Sequence, residues 1–145
     1  MNKNPIRIRT LDHLVLRVAD LDRALAFYCD TIGCAIERRI DKIGLVQLRA
    51  GTSLIDLVPV DSELGRKLGV GPTVHGRNLD HFALELDEFN ADTITAHLSE
   101  HGIDVGDVAD RYGAQGTGPS IYLQDPDGNT LELKGPAKPG TLLTD

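Results

Sequence analysis

One pattern occurs twice in the chain, and this repetition is the feature that most constrains the fold. The string LDHLVLRVAD occupies residues 11–20, and the string LDHFALELDE occupies residues 79–88. Each string is rich in apolar residues and predicts a strand. A helical pattern follows each of them and ends at a glycine, Gly33 or Gly102. Three further strand candidates follow each helix, so both halves have the order strand, helix, strand, strand, strand.

The element boundaries predicted from these patterns divide the chain into two similar modules. The first half predicts a helix that begins after Asp20 or Asp22 and strands at 34–40, 43–49 and 53–60. The second half predicts a strand at 80–87, a helix at 88–101 and strands at 103–109, 119–124 and 130–134. Neither unit can bury its own sheet face, so the two should pack together. We therefore expect one α+β domain over residues 1–145, with modules at 10–60 and 79–135 and a linker at 61–78.

Composition excludes several classes of function. The chain has 145 residues, a formal charge of −7, no tryptophan and 4% aromatic residues, which disfavours a nucleic-acid partner. There is no apolar run of 18 residues and no secretory signal pattern, so we expect a cytoplasmic protein without a membrane partner. Cys29 and Cys34 match no zinc or thioredoxin spacing and are expected to be reduced thiols.

Matched polar residues in the two modules indicate where chemistry takes place. His13 and His81 begin the first strands, while Asp56 and Glu132 interrupt the apolar fourth strands SLIDLVPV and NTLELKGP. A carboxylate on an inner sheet face is costly unless it is paired or bound to metal. Each residue alone is also explained as a structural histidine or an outward-facing acid. Together, two imidazoles with one or two carboxylates are typical ligands of a divalent metal.

The quoted strings, together with SIYLQDPDGNTLELKG near the end, resemble the vicinal oxygen chelate superfamily. That superfamily includes glyoxalase I, fosfomycin-resistance proteins and extradiol ring-cleaving dioxygenases. The resemblance extends over about residues 10–135 and is most specific in the last string. It implies two tandem βαβββ modules that form a curved eight-stranded, cup-shaped sheet with helices outside, and one divalent metal ion inside the cup.

The resemblance also implies which residues bind the metal. Carried over to this chain, the ligands are His13, His81 and Glu132, with Asp56 at the remaining position. Glyoxalase I has the longer glutamate where this chain has Asp56. We therefore leave open whether Asp56 is a short fourth ligand, a general base beside the metal or a bystander. Iron, nickel, zinc and manganese are all compatible with this ligand set.

Four more residues are candidates near the cup. Arg111 precedes the loop GAQGTGP, which could bind an anion through its amides or close over the cup as a lid; an ordinary hairpin loop is an equal alternative. Ser120 and Tyr122 alternate on the next strand, and Tyr122 is similar in position to a tyrosine of ring-cleaving relatives. Arg17 resembles an arginine of bacterial glyoxalase I, although a surface salt bridge explains it equally. We expect Arg111, Ser120 and Arg17 to bind substrate and Tyr122 to be catalytic.

Three functions are compatible with these residues. The first is a metal-dependent lyase or isomerase of the glyoxalase kind that acts on a small molecule with adjacent oxygens. The second is an iron-dependent extradiol-type dioxygenase, and the third is a metal-free protein that sequesters a small molecule or drug. The resemblance further implies a homodimer, in which one site takes His13 from one chain and His81 with Glu132 from the other.

Overall fold

The computed structural model describes residues 5–67 and 69–143, and these residues form two four-stranded sheets. The first sheet contains β1 (His13–Val18), β2 (Ala35–Ile40), β3 (Leu45–Ala50) and β4 (Ser53–Pro59), in the order β1-β4-β3-β2. The second contains β5 (His81–Glu85), β6 (Ala109–Gly113), β7 (Gly116–Gln124) and β8 (Thr130–Lys134), in the order β5-β8-β7-β6. In each sheet the first strand is parallel to the last, and the other pairs are antiparallel.

The two sheets confirm the predicted α+β fold with tandem βαβββ modules. The eight strands of one chain do not form a single continuous sheet, because no described strand of the first sheet is hydrogen-bonded to a strand of the second. Each module instead forms its own four-stranded sheet. The connection between the modules also contains a short helix, α2 (Glu63–Lys67), which the sequence patterns did not indicate.

Local side-chain caps determine where the two longer helical segments begin. Helix α1 (Leu21–Leu25) begins after Asp20, whose carboxylate accepts a hydrogen bond from the N–H of Arg23 at 3.0 Å. It continues as a π-helical turn over Ala26–Thr31. Helix α3 (Ala91–Glu100) begins after Asn90, which caps the helix in the same way. Among the helices of the described ranges, none is long and apolar enough to cross a membrane.

One hydrophobic core is shared by both modules. The strands alternate, so one face of each sheet supplies apolar side chains to this core, and the helices cover it. The core includes Leu16, Leu57, Phe27 and Tyr28 from the first module and Leu98, Ile121, Leu131 and Leu133 from the second. The opposite face of each sheet is left open, and the candidate site residues lie there.

The glycine-rich segment at 113–119 forms a hairpin, which was the equal alternative in the sequence analysis, and not a lid. Gly113 pairs with Gly116 in an antiparallel ladder, and residues 116–119 belong to β7. Ala114 and Gln115 form a tight turn between β6 and β7. The amides that were expected to be free for an anion are therefore mostly used in strand pairing. The strand predicted at 103–109 was wrong, because β6 covers Ala109–Gly113 and only Val105 of the predicted segment forms an isolated bridge, with Leu123, before Ala109.

The Asp-Pro-Asp-Gly turn after β7 connects the two modules through a buried carboxylate. Asp125 accepts hydrogen bonds from the backbone N–H groups of Asp127 (2.9 Å) and Asn129 (2.8 Å) within the turn. Its Oδ2 atom also accepts one from the hydroxyl of Tyr28 at 2.6 Å and one from the side-chain amide of Asn129 at 2.8 Å. Because Tyr28 belongs to the first module, this carboxylate holds the two modules together.

A second polar contact joins the modules at the end of the linker. The side chain of Asn78 accepts a hydrogen bond from the backbone N–H of Arg17 at 3.1 Å and donates one to the carbonyl of Arg17 at 3.0 Å. It also donates to the side-chain oxygen of Asn129 at 3.1 Å. Asn78 therefore connects β1 to the same turn that contains Asp125.

We predict that Tyr28→Phe lowers the free energy of unfolding by about 1.5–3 kcal/mol, because the buried carboxylate of Asp125 loses a charge-assisted donor. Chemical denaturation measures this change. Tyr112→Phe is the matched control, because the hydroxyl of Tyr112 is bonded near the chain end and its ring is half exposed. A Tyr28→Phe variant as stable as this control would contradict the structural role of the contact.

The same contact gives the wild type a specific dependence on pH. Burial, followed by the negative charge of Asp125, raises the pKa of Tyr28 above its usual value of 10.0. The folded chain therefore keeps the phenol proton, while the unfolded chain releases it above about pH 10. The stability that this hydrogen bond contributes is complete below that pH and is lost as the pH rises. The difference in unfolding free energy between wild type and Tyr28→Phe should therefore narrow above about pH 10.

Candidate functional site

The four predicted metal ligands lie on the open faces of the two sheets, and the two modules place them in the same way. His13 pairs with the residue two positions before Asp56, and His81 pairs with the residue two positions before Glu132. Residues separated by two positions on a strand share a face, so each histidine lies diagonally across from its acid. We call His13 with Asp56 the first half-site and His81 with Glu132 the second half-site.

The second half-site brings its two side chains close together. The Nε2 atom of His81 lies 3.7 Å from the Oε2 atom of Glu132, and the Glu132 residue is only 6% exposed. The ring of Tyr122 contacts the His81 ring edge to face, with 5.5 Å between the centroids. Tyr122 pairs directly with Glu132 across β7 and β8. These three side chains therefore form one polar cluster on the open face.

Arg111 and Ser120 lie beside this cluster. The guanidinium of Arg111 is positioned over the ring of Tyr122, 4.4 Å from its centroid, which is a cation–π contact. Its Nη1 atom donates hydrogen bonds to the hydroxyl of Ser120 at 2.8 Å and to the Ser120 carbonyl at 3.0 Å. Ser120 is fully buried, so it holds Arg111 in place over Tyr122. Contact of either residue with substrate stays a prediction.

The first half-site contains a buried carboxylate that is held by a side-chain amide. Asp56 is 4% exposed, and both of its oxygens accept hydrogen bonds from the Nε2 atom of Gln47, at 3.2 and 3.1 Å. Gln47 lies directly opposite Asp56 on β3, and the sequence patterns did not identify it. The alternation of β3 was the available signal, but a polar residue in a strand more often faces solvent. Gln47 keeps the Asp56 carboxylate directed along the open face.

The aspartate before each histidine is the clearest functional feature that sequence reasoning missed. The Nδ1 atom of His13 lies 2.7 Å from a carboxylate oxygen of Asp12, and the Nδ1 atom of His81 lies 2.5 Å from one of Asp80. A carboxylate on Nδ1 fixes the imidazole orientation and leaves Nε2 available as a ligand. The repeated Leu-Asp-His string was the signal that could have revealed both pairs.

The charge around His13 also changes its proton affinity. The hydrogen bond with Asp12 is the largest influence and raises the pKa of His13, partial loss of water contact lowers it, and the negative charge of Asp56 raises it. The strand register places Asp56 diagonally across from His13 on the same face, which accounts for its influence. Both groups are therefore suited to attract a cation.

Arg17 lies on the same face of β1 as His13. Its Nη1 atom donates a hydrogen bond to the carbonyl of Gly69 at 3.3 Å, so its side chain contacts the connection between the modules. The expected contact of Arg17 with substrate stays a prediction.

The donor set fits a divalent metal ion, but one chain does not bring it together. Two imidazoles with free Nε2 atoms and two carboxylates are ligands that zinc, nickel, manganese and ferrous iron accept. Within residues 5–67 and 69–143 of a single chain, however, no three His, Cys, Asp or Glu side chains are grouped closely enough to hold a metal. Each half-site supplies two ligands of a possible four.

The chain is similar in sequence to several known proteins. The chain is 35% identical over 130 residues to the glyoxalase domain-containing protein RDO1 of Mycosarcoma maydis, which covers 88% of this chain and 69% of that protein. It is 31% identical over 127 residues to the lactoylglutathione lyase of Salmonella typhimurium, covering 83% and 88% of the two chains. It is also 31% identical over 119 residues to the catechol-2,3-dioxygenase of Bacillus subtilis. That match covers 81% of this chain but only 38% of the dioxygenase.

Solved structures of similar proteins superpose on this chain over most of its length. An integron cassette protein from the mobile metagenome of V. cholerae superposes with a TM-score of 0.69 at 27% identity, covering 90% of this chain and 97% of that one. The virulence protein STM3117 of Salmonella typhimurium superposes with a TM-score of 0.66 at 26% identity, covering 91% and 100%. The family described as Glyoxalase/Bleomycin resistance protein/Dioxygenase superfamily matches residues 10–133, and the chain belongs to this superfamily.

Proposed function

We propose that this protein is a metal-dependent lyase or isomerase of the glyoxalase kind, which acts on a small substrate with two adjacent oxygens. The observation that carries the proposal is the pair of matched half-sites, each with a histidine whose Nδ1 atom is bonded to the preceding aspartate. The relatives named lactoylglutathione lyase support the class of reaction, because the chain matches 88% of the length of the Salmonella protein.

We further propose that the protein acts as a homodimer in which each metal site is completed by two copies. One copy contributes its first half-site, and the other contributes its second half-site. The argument is that a metal with only two protein ligands is weakly held, while the two half-sites within the described part of one chain are not grouped. A two-fold dimer pairs the half-sites reciprocally and produces two equal sites.

The residues of this chain have separable roles in such a reaction. When bound, a divalent metal supplies Lewis acidity that stabilises negative charge on the two substrate oxygens. In this reaction the carboxylate of Asp56 would be the fourth metal ligand, and Gln47, which donates to both of its oxygens, orients it on the open face. Arg111, held over Tyr122 by Ser120, adds positive charge to the same face for an anionic substrate group.

A second candidate is an iron-dependent extradiol-type dioxygenase, and one contact favours it. Both oxygens of Asp56 already accept hydrogen bonds from Gln47, which would leave His13, His81 and Glu132 as a set of two histidines and one carboxylate. That set suits ferrous iron with open positions. The similarity to a catechol-2,3-dioxygenase agrees with this candidate but covers only 38% of that protein.

If two copies share each site, two variants that each lose metal should recover metal binding when they are combined. His13→Ala and His81→Ala should each lose bound metal when purified alone, as measured by elemental analysis. When the two chains are unfolded together and refolded as a mixture, half of the dimers are mixed, and each mixed dimer has one intact site. The mixture should therefore bind about one quarter of the wild-type metal content. A mixture that stays free of metal would show that copies do not share sites.

The aspartate before each histidine should control metal affinity. We predict that Asp80→Ala lowers the affinity for zinc or nickel by about 10- to 100-fold, because the imidazole of His81 loses the carboxylate that orients it. Competition with a chromogenic chelator measures the change. Asp107→Ala is the matched control, since Asp107 is an exposed acid in the segment before β6. Equal affinities for the two variants would remove the proposed role of Asp80.

The substitution Asp56→Asn distinguishes the two candidate reactions. For a lyase or isomerase with four ligands, Asp56→Asn should lower metal affinity by about 10-fold or more, because one anionic ligand is lost. For a dioxygenase with three ligands, Asp56→Asn should keep ferrous iron, and oxygen consumption with catechol as the probe should persist. The metal found in protein purified without added metal is a second test of the two reactions. Bound iron would favour the dioxygenase.

A further inference from the structure

Lys134 is a buried cation on the open face of the second sheet, and the chemistry proposed above does not use it. It lies at the end of β8, two residues after Glu132, and it is only 8% exposed. Glu132 and Lys134 therefore point to the same face, with their Cα atoms roughly 7 Å apart. A lysine in such a position is rarely buried unless its charge has a partner.

The ammonium group of Lys134 has no such partner in the part of the chain that the structure describes. No hydrogen bond or ion pair joins its Nζ atom to a described residue. Glu85 pairs with Lys134 across β5 and β8 and lies on the same face, but its carboxylate is not within ion-pair distance. The Lys134 side chain is largely buried, but its Nζ atom still reaches solvent. An anionic ligand that replaces this water would gain an ion pair in a partly desolvated position.

Gly113 leaves space for the side chain of Lys134. This space is independent evidence that the side chain occupies a defined position. A Cβ atom at Gly113 would lie 2.6 Å from the Cε atom of Lys134 and 3.0 Å from its Cδ atom. The backbone of Gly113 is not in the left-handed region, so its conformation does not require glycine. The absence of a side chain at Gly113 therefore allows the Lys134 side chain to cross the sheet toward β6.

A cavity connects this lysine to the second half-site. Its volume is about 160 Å³, and its lining includes Glu132, Lys134, Glu85 and Gln115. This volume accommodates a group of a few atoms, such as a carboxylate, together with one or two waters. An anion placed there would lie beside the ammonium group of Lys134 and next to the candidate ligand Glu132.

We propose that Lys134 is a specificity-determining residue that binds a carboxylate of the substrate, so that the substrate is a small organic acid. The carboxylate would lie in the cavity beside Lys134, while the two adjacent oxygens of the same molecule reach the metal at Glu132. This proposal rests on the proposed metal site. It restricts the substrate to molecules in which a short chain connects the two chelating oxygens to an anionic group.

Two probes differ only in that anionic group. 2-Oxoglutarate and 2-oxopentanoate have the same metal-chelating carboxylate and keto oxygen and the same chain length, but only 2-oxoglutarate ends in a second carboxylate. We expect the wild-type dimer loaded with nickel to bind 2-oxoglutarate at least about 10-fold more tightly, as measured by calorimetry. Lys134→Met should reduce the ratio of the two affinities to about one while leaving the affinity for 2-oxopentanoate unchanged.

Two further variants test the route of the side chain and the effect of charge. Gly113→Ala should also reduce the preference for 2-oxoglutarate, because the new methyl group displaces Lys134. Lys67→Met removes the same charge from α2, where Lys67 is exposed and paired with Glu63. It should therefore keep the wild-type preference. Thermal unfolding verifies that each variant is folded.

The outcomes separate this proposal from the one on which it rests. A wild-type protein that takes up no nickel overturns the proposed function and this inference together. A protein that takes up nickel but binds both probes equally, or binds neither, overturns only the role of Lys134. A Lys134→Met variant that keeps the preference for 2-oxoglutarate overturns it as well.

Discussion

The buried carboxylate of Asp125 is the interaction on which the arrangement of the two modules depends. It accepts hydrogen bonds from Tyr28 in the first module and from Asn129 in its own turn. Without these donors a buried carboxylate would strongly destabilise the fold. Because the donors come from both modules, Asp125 is satisfied only when the modules pack as they do here. The same packing determines which sheet faces become core and which remain open.

The open faces show how one strand pattern serves two purposes. Alternation directs one set of residues into the shared core and leaves the other set free for chemistry. On each open face a histidine is oriented by the aspartate before it and lies diagonally across from an acid. Duplication of the module therefore duplicates the pair of a histidine and an acid. Two halves that are not grouped within the described part of one chain give a physical reason for the proposed pairing of two copies.

Much of this architecture was predictable, and the errors have a common cause. The repeated order of elements, the cap of the first helix and the Asp-Pro-Asp-Gly turn follow from local patterns, and the structure confirms the tandem modules. The supporting residues were not found: Asp12, Asp80, Gln47 and Lys134 are ordinary polar residues in the sequence. Their importance comes from what they contact or leave unpaired. The glycines of the 113–119 segment left a lid and a hairpin as equal alternatives, and the pairing of Gly113 with Gly116 decides for the hairpin.

The sequence by itself determined the βαβββ repeat, because alternation and turn residues lie within short stretches of chain. Its resemblance to the superfamily, carried by equally short motifs, implied the four candidate ligands. Only the tertiary structure decided that the candidate ligands lie as two pairs on two separate sheets. It also decided that Asp56 is held by Gln47 and that Lys134 is buried without a counter-ion among the described residues. These features depend on distances between residues that are far apart in the chain, and periodicity does not encode such distances.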